Sequence, residues 1–83
     1  MFGAIKRNPF VVSAYQVRGL ARIKQDDYKG AIEDYKVALK YDPENVGIWH
    51  NMALCEIQEK NYDQAKDDLN SCLKYLLNIQ KLF

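Results

Sequence analysis

Cysteine is almost absent from this chain. Cys55 and Cys72 are the only two among 83 residues, too few for the disulfide framework of a small secreted scaffold and without the close spacing of a zinc site. Each stands where a helix takes a small apolar residue, so packed free thiols are expected. Proline is equally scarce: only Pro9 and Pro43 interrupt the chain, which leaves room for long helices. Charge of one sign is missing as well. The formal net charge is +1 and the sequence pI about 7.7, far from the basic excess of a protein that neutralises phosphates, and nucleic acid is excluded as the expected partner. No apolar run approaches the roughly 18 residues of a membrane-spanning helix. The N-terminus lacks the long apolar centre of a signal peptide, so a soluble, cytoplasmic protein without a membrane partner is expected.

The residues of catalysis are thin on the ground too. His50 is the only histidine, and no local motif supplies it with the carboxylate or thiolate partners of a metal site. Asp26 and Asp27 are adjacent, as are Asp67 and Asp68. On a helix the second pair would diverge by about 100°, because an α-helix takes 3.6 residues per turn. Gly19, Gly30 and Gly47 stand isolated and form no phosphate-cradling loop. Catalysis needs groups converging in a pocket, and nothing here converges. The expectation is a protein that is not an enzyme, with no metal and no cofactor.

What the chain does have is a recurring helical stripe. Ala31, Tyr35, Ala38 and Leu39 follow one another at steps of four, three and one, which gathers them on one face of an α-helix. Pro43 closes that stretch. About 34 residues further on the same pattern returns as Tyr62, Ala65, Asp68, Leu73, Lys74 and Tyr75. Cys55 and Cys72 fall one period after Ala21 and Ala38. Backwards, Ala4, Ile5, Asn8 and Pro9 fall one period before Ala38, Leu39, Asp42 and Pro43, so a partial repeat is expected at the start and a longer parent protein with it. The hydrophobic content of 48% against 28% charged residues suits a folded chain rather than a disordered one.

Read in order, the pattern predicts a helical end over Phe2 to Arg7, then helices over Val12 to Gln25, Tyr28 to Tyr41 and Val46 to Glu59, with a fourth from Tyr62 to Lys81. Ser13 is the expected cap of the first complete helix. Val17, Leu20, Ala21 and Ile23 are its apolar positions, and Trp49, Met52, Ala53 and Ile57 are those of the third. Asp26 with Asp27, and Lys60 with Asn61, form the turns. With no proline or glycine after Tyr62, nothing local stops the fourth helix. The fold class is all-α, a superhelix of antiparallel helix pairs. Its boundaries are 1–11 for the partial repeat, 12–45 and 46–77 for the two complete ones, and 78–83 for a helical extension.

At these residues the chain resembles the tetratricopeptide repeat family, whose pattern is W-x2-L-G-x2-Y, then A-x3-F, then P. It falls here on Tyr15, Arg18, Gly19, Arg22, Ala31, Tyr35 and Pro43, then on Trp49, Met52, Ala53, Glu56, Ala65, Leu69 and Leu77. Arg18, Arg22 and Glu56 replace apolar or aromatic residues, and the expectation is that their stems pack while their charged heads reach solvent. Leu77 replaces the closing proline.

The resemblance implies function through surface rather than chemistry. In such stacks the first helices of successive repeats line a concave face that takes up a partner. The implied inward positions are Ser13, Gln16, Val17, Leu20, Ile23 and Lys24, then Gly47, His50, Asn51, Leu54, Ile57 and Gln58. Of these Gln16, Leu20, Lys24, His50, Asn51, Leu54 and Gln58 are the expected partner-binding set, suited to an extended peptide or a helix. One subclass of the family grips a terminal carboxylate with lysine, arginine and asparagine. Only Asn51 agrees, since Gln16, Leu20 and Gly47 stand where the clamp would place a lysine, an asparagine and a lysine. The alternative function is self-assembly. Tyr75, Leu76, Leu77, Ile79, Leu82 and Phe83 are apolar where a terminal repeat needs a polar cap, so a homodimer through the last helix is expected. The other possibility is that this tail folds back over its own repeat.

Overall fold

Pro9 opens the first helix. The computed structural model describes residues 8–81, and in it α1 runs Pro9–Lys24, with the side chain of Asn8 accepting hydrogen bonds from the backbone N–H groups of Phe10 at 3.1 Å and Val11 at 3.3 Å. Asn8 is therefore the cap, not Ser13, which lies inside the helix. The reason is that the first helical position has no intrahelical use for its N–H, so a proline is preorganised there at no cost. The expected helical end over Phe2 to Arg7 lies outside the described residues.

The remaining helices are α2 (Tyr28–Tyr41), α3 (Val46–Gln58) and α4 (Tyr62–Gln80). No strand occurs among the described residues. Asp27 caps α2 by accepting from the N–H of Gly30 at 3.0 Å, and Asn45 caps α3 by accepting from that of Ile48 at 3.2 Å. The turns inside the two pairs are built alike: Asp26 has φ 58° and Lys60 φ 63°. These left-handed residues recur one period apart, so the repeat is written in the backbone as well as in the apolar pattern. Between the pairs, Asp42-Pro43-Glu44-Asn45 is pinned twice. Asn45 Nδ2 donates to Asp42 Oδ2 at 3.0 Å, and Trp49 Nε1 donates to the carbonyl of Pro43 at 2.8 Å.

α1 packs on α2, α2 on α3 and α3 on α4. The core lies along α2 and α3: Ala31, Tyr35, Ala38, Ile48 and Ala53 have no exposed surface, and Val12, Ile32, Met52 and Cys55 close around them. Gly19 is required where α1 crosses α2, because a Cβ there would lie 2.8 Å from the Tyr35 ring. Of the apolar positions of α1, Val17 and Leu20, both among the implied inward positions, are 66% and 47% exposed. They belong to an open face, and Val12 and Gly19 make the contact with the core instead. α4 does continue past the point where Pro43 stopped α2, and its C-cap is Lys81.

Candidate functional site

A cleft of about 270 Å³ opens between the two helix pairs. Asn51, Leu54, Ile57 and Gln58 reach it from α3, Ile23 from α1 and Tyr28 from the first turn of α2, with Cys55 at the same place. Three of the seven expected partner-binding residues, Asn51, Leu54 and Gln58, are thus brought together. Gln16, Leu20, Lys24 and His50 are not among the lining residues, and of these Leu20, Lys24 and His50 are exposed on α1 and α3. Two lining residues escaped sequence reasoning. Tyr28 is half-buried, and its hydroxyl donates to Asp26 Oδ1 at 3.2 Å, a bond that raises the phenol above its ordinary range. Cys55 is buried, and desolvation pushes its thiol up to about 11, so it meets a ligand as a small apolar surface and not as a nucleophile. The only available signal for Tyr28 was its place one period before Tyr62.

The arginines of the repeat pattern keep part of their surface in solvent, as expected, and also find a partner on the facing helix. Arg18 and Arg22 do not simply extend their heads to solvent. Arg18 holds Asp34 with two bonds, Nε to Oδ2 at 3.0 Å and Nη2 to Oδ1 at 2.7 Å, and Arg22 Nε approaches the same Oδ2 at 3.1 Å. Asp34 is buried on α2, and a buried carboxylate requires such partners. Hydrogen bonding to Asp34 in turn raises the Arg18 guanidinium. Arg22 Nη1 also reaches Asp27 Oδ2 at 3.2 Å, so one guanidinium ties the α1–α2 turn to the α2 face.

In the second pair the same place is filled by acids. Glu56, one period after Arg22, is 3% exposed, and Asp68, one period after Asp34, is 4% exposed. Glu56 Oε1 and Asp68 Oδ2 are both buried without a hydrogen-bond partner. Burial first and Asp68 second push Glu56 up to about 8. The expectation that the head of Glu56 reaches solvent is therefore wrong: the α3–α4 contact encloses it.

Along α4 the residues expected to self-associate divide. Tyr75 is half-buried with its ring stacked on Trp49 at 6.4 Å between centroids. Leu76, Leu77 and Ile79 are 42%, 57% and 44% exposed, as are Leu69 and Leu73 at 36% and 57%. Leu82 and Phe83 lie outside the described residues. Among the described residues there is no cluster of three or more histidine, cysteine, aspartate or glutamate side chains that could hold a metal ion. No helix among them is long and apolar enough to cross a membrane.

Two antiparallel helix pairs related by one period, with matching turns and an open cleft on the α1 and α3 side, define a helical repeat protein. Comparison with known proteins gives the family: residues 22–74 match the tetratricopeptide repeat, and the chain belongs to that family. It is similar to stress-induced-phosphoprotein 1 of Caenorhabditis elegans, 31% identical over 67 residues that cover 81% of this chain and 21% of that protein. The chain thus spans about a fifth of the length of the relative it matches. No solved structure matches. Membership of the family makes the chain a protein–protein interaction module in general terms, and it points away from catalysis.

Proposed function

We propose that the chain binds an extended peptide or a helix of a partner protein in the cleft between Ile23 of α1 and Leu54 of α3. The observation that carries this reading is the cleft itself, mainly apolar, open to solvent and holding Asn51 and Gln58 beside Leu54 and Ile57. Leucine-sized pockets take a partner's apolar side chains, and two amides can satisfy the N–H and C=O groups of an extended backbone. Leu54 is 47% exposed and is not one of the buried core residues. Leu54→Glu should accordingly leave the helical signal and melting midpoint near wild type and weaken a peptide selected from a displayed library about tenfold or more, the equivalent of about 1.4 kcal/mol. Calorimetric titration of the two proteins checks this, and equal affinities would remove the cleft from consideration.

A second reading is self-association through α4, favoured by the run of Leu69, Leu73, Leu76, Leu77 and Ile79, each at least 36% exposed. Burying a large apolar side chain contributes about 1.5 to 3 kcal/mol relative to leaving it in water. Even partial burial of several against a second copy would then support a dimer at micromolar concentration. Light scattering at low micromolar protein should give twice the monomer mass, reverting to a monomer in Leu76→Glu/Ile79→Glu. A wild type that is monomeric throughout ends this reading and leaves the cleft untouched.

A further inference from the structure

The exposed side of α4 has a covered counterpart in the same chain. Leu69 and Leu73 fall one period after Tyr35 and Leu39 of α2. Tyr35 has no exposed surface and Leu39 is half-buried, both packed with Ile48 and Met52 of α3 in one cluster. Among the described residues no helix takes that place on α4, and Leu69 and Leu73 are left 36% and 57% exposed. Tyr62, Lys66, Leu69, Leu73 and Leu76 follow one another at alternating steps of four and three, the spacing with which one helix meets another along a common seam. All five are exposed.

One flank of this seam, with Ala65 and Asp68 buried and Cys72 Sγ donating to the carbonyl of Val46, faces α3. The open flank carries charge sorted by sign. Asp63 and Asp67 stand in its N-terminal half, Lys74 and Lys81 in its C-terminal half, and neutral Asn70 lies between them. All five are exposed, and none of the four charges is in an ion pair among the described residues. Lys74 lies over the ring of Tyr75, 5.4 Å from its centroid, a weak contact at an exposed site that leaves the ammonium able to turn to an opposing carboxylate.

Such a helix is complementary to itself in one orientation only. A parallel copy sets acid against acid, lysine against lysine, and Lys66 against its own equivalent within the seam. Reversal sets Asp63 and Asp67 towards the partner's Lys81 and the partner's Lys74, and brings Asn70, the one uncharged residue of the five, to the axis where a residue meets its own copy. We propose that α4 pairs with α4 of a second copy, antiparallel about a two-fold axis near Asn70, with Leu69 against the partner's Leu73 and Leu76 over the stem of the partner's Lys66. A lysine stem can cover apolar surface while its amine stays in water. This proposal rests on the self-association reading and adds the partner's orientation and register to it. A two-fold contact closes on two copies, so assembly stops at the dimer. The cleft at Leu54 has no lining residue on α4 and stays outside the interface.

Dissociation constants from sedimentation test the pairing, first without any substitution. For wild type the constant should rise about threefold or more between about 0.05 and 0.5 M NaCl, since exposed charges are screened at the higher strength. A constant that stays level or falls would overturn the charge matching. Asp63→Lys/Asp67→Lys makes the flank uniformly basic and should weaken the dimer about tenfold or more. Adding Lys74→Glu and Lys81→Glu to that variant restores the order in reverse and should bring the constant back near wild type, both variants first being shown to melt as helical proteins. The fourfold variant should not exchange subunits with wild type, because antiparallel mixing sets like charges together. Undiminished dimerisation of Asp63→Lys/Asp67→Lys, no recovery in the fourfold variant, or free exchange between it and wild type would overturn the antiparallel pairing. If Leu76→Glu/Ile79→Glu is still a monomer in that case, self-association through α4 stands and only its geometry fails. A monomeric wild type removes both.

Discussion

Tyr35→Ala is expected to lose most of the chain's stability. Tyr35 has no exposed surface and lies in one cluster with Ala31, Ala38, Ile48 and Met52, at the centre of both the α1–α2 and the α2–α3 contacts. Its ring also fills the space that Gly19 leaves open on α1. Replacing a buried aromatic by alanine costs about 3–5 kcal/mol, because lost transfer energy is joined by the cavity left behind. Small domains have about 5–15 kcal/mol in total, and an 83-residue chain buries too little of its surface to sit at the upper end. Urea unfolding followed by circular dichroism should show the midpoint falling sharply, with a substantial unfolded fraction in water. An unchanged midpoint would mean that the helices do not meet at Tyr35.

The second large effect is a dependence on pH that runs against the usual behaviour of carboxylates. Glu56 is raised from 4.5 to about 8 by burial and by Asp68. A carboxyl raised on folding binds its proton more tightly in the native state, so its favourable contribution is complete below about 4.5 and is lost as pH rises through about 8. Stability should accordingly fall between pH 5 and pH 9. For a domain of 60–100 residues about 1 kcal/mol moves Tm by roughly 4–8 °C, so a fall of about 10 °C across that window is expected. Glu56→Gln keeps the shape and discards the proton, which should flatten the profile and place the variant above wild type at pH 8. Glu56→Arg goes further, since it pairs with Asp68 as Arg22 pairs with Asp34, and it should melt highest at alkaline pH. A wild-type Tm that is level or rising from pH 5 to 9 would show that Glu56 is not raised by its enclosure.

The helices were legible because their signal is local. The stripe of Ala31, Tyr35 and Ala38, the recurrence at Ala65 and the turn residues Asp26 and Lys60 all lie within a few positions of what they determine. The start of α1 falls at Pro9 and not near Val12 because Ser13 is a residue type that caps helices but here lies inside one, and only the bonds accepted by Asn8 identify the cap. The partners of the charged positions were not legible for a deeper reason. Periodicity sees one helix at a time, whereas the partners of Arg18, Arg22 and Glu56 stand on the facing helix, at Asp34 and Asp68. The two aspartates do recur one period apart, and that was the sequence's own trace of the buried pairs. In the cleft, the α3 residues Asn51, Leu54 and Gln58 could be anticipated from the resemblance to the repeat family, which implies that the first helix of each pair lines the concave face. Tyr28 and Cys55 could not, since they enter from the start of α2 and from the core side of α3.

Partner binding at the α1–α3 cleft is the centre of this account, and one experiment bears on it most directly. Peptides selected on the wild-type protein should be titrated against Leu54→Glu in the cleft and Leu76→Glu on α4, each first shown to melt near wild type. Binding about tenfold weaker in Leu54→Glu and unchanged in Leu76→Glu is the predicted result. Full affinity in Leu54→Glu together with loss in Leu76→Glu would contradict it and move the binding surface to α4.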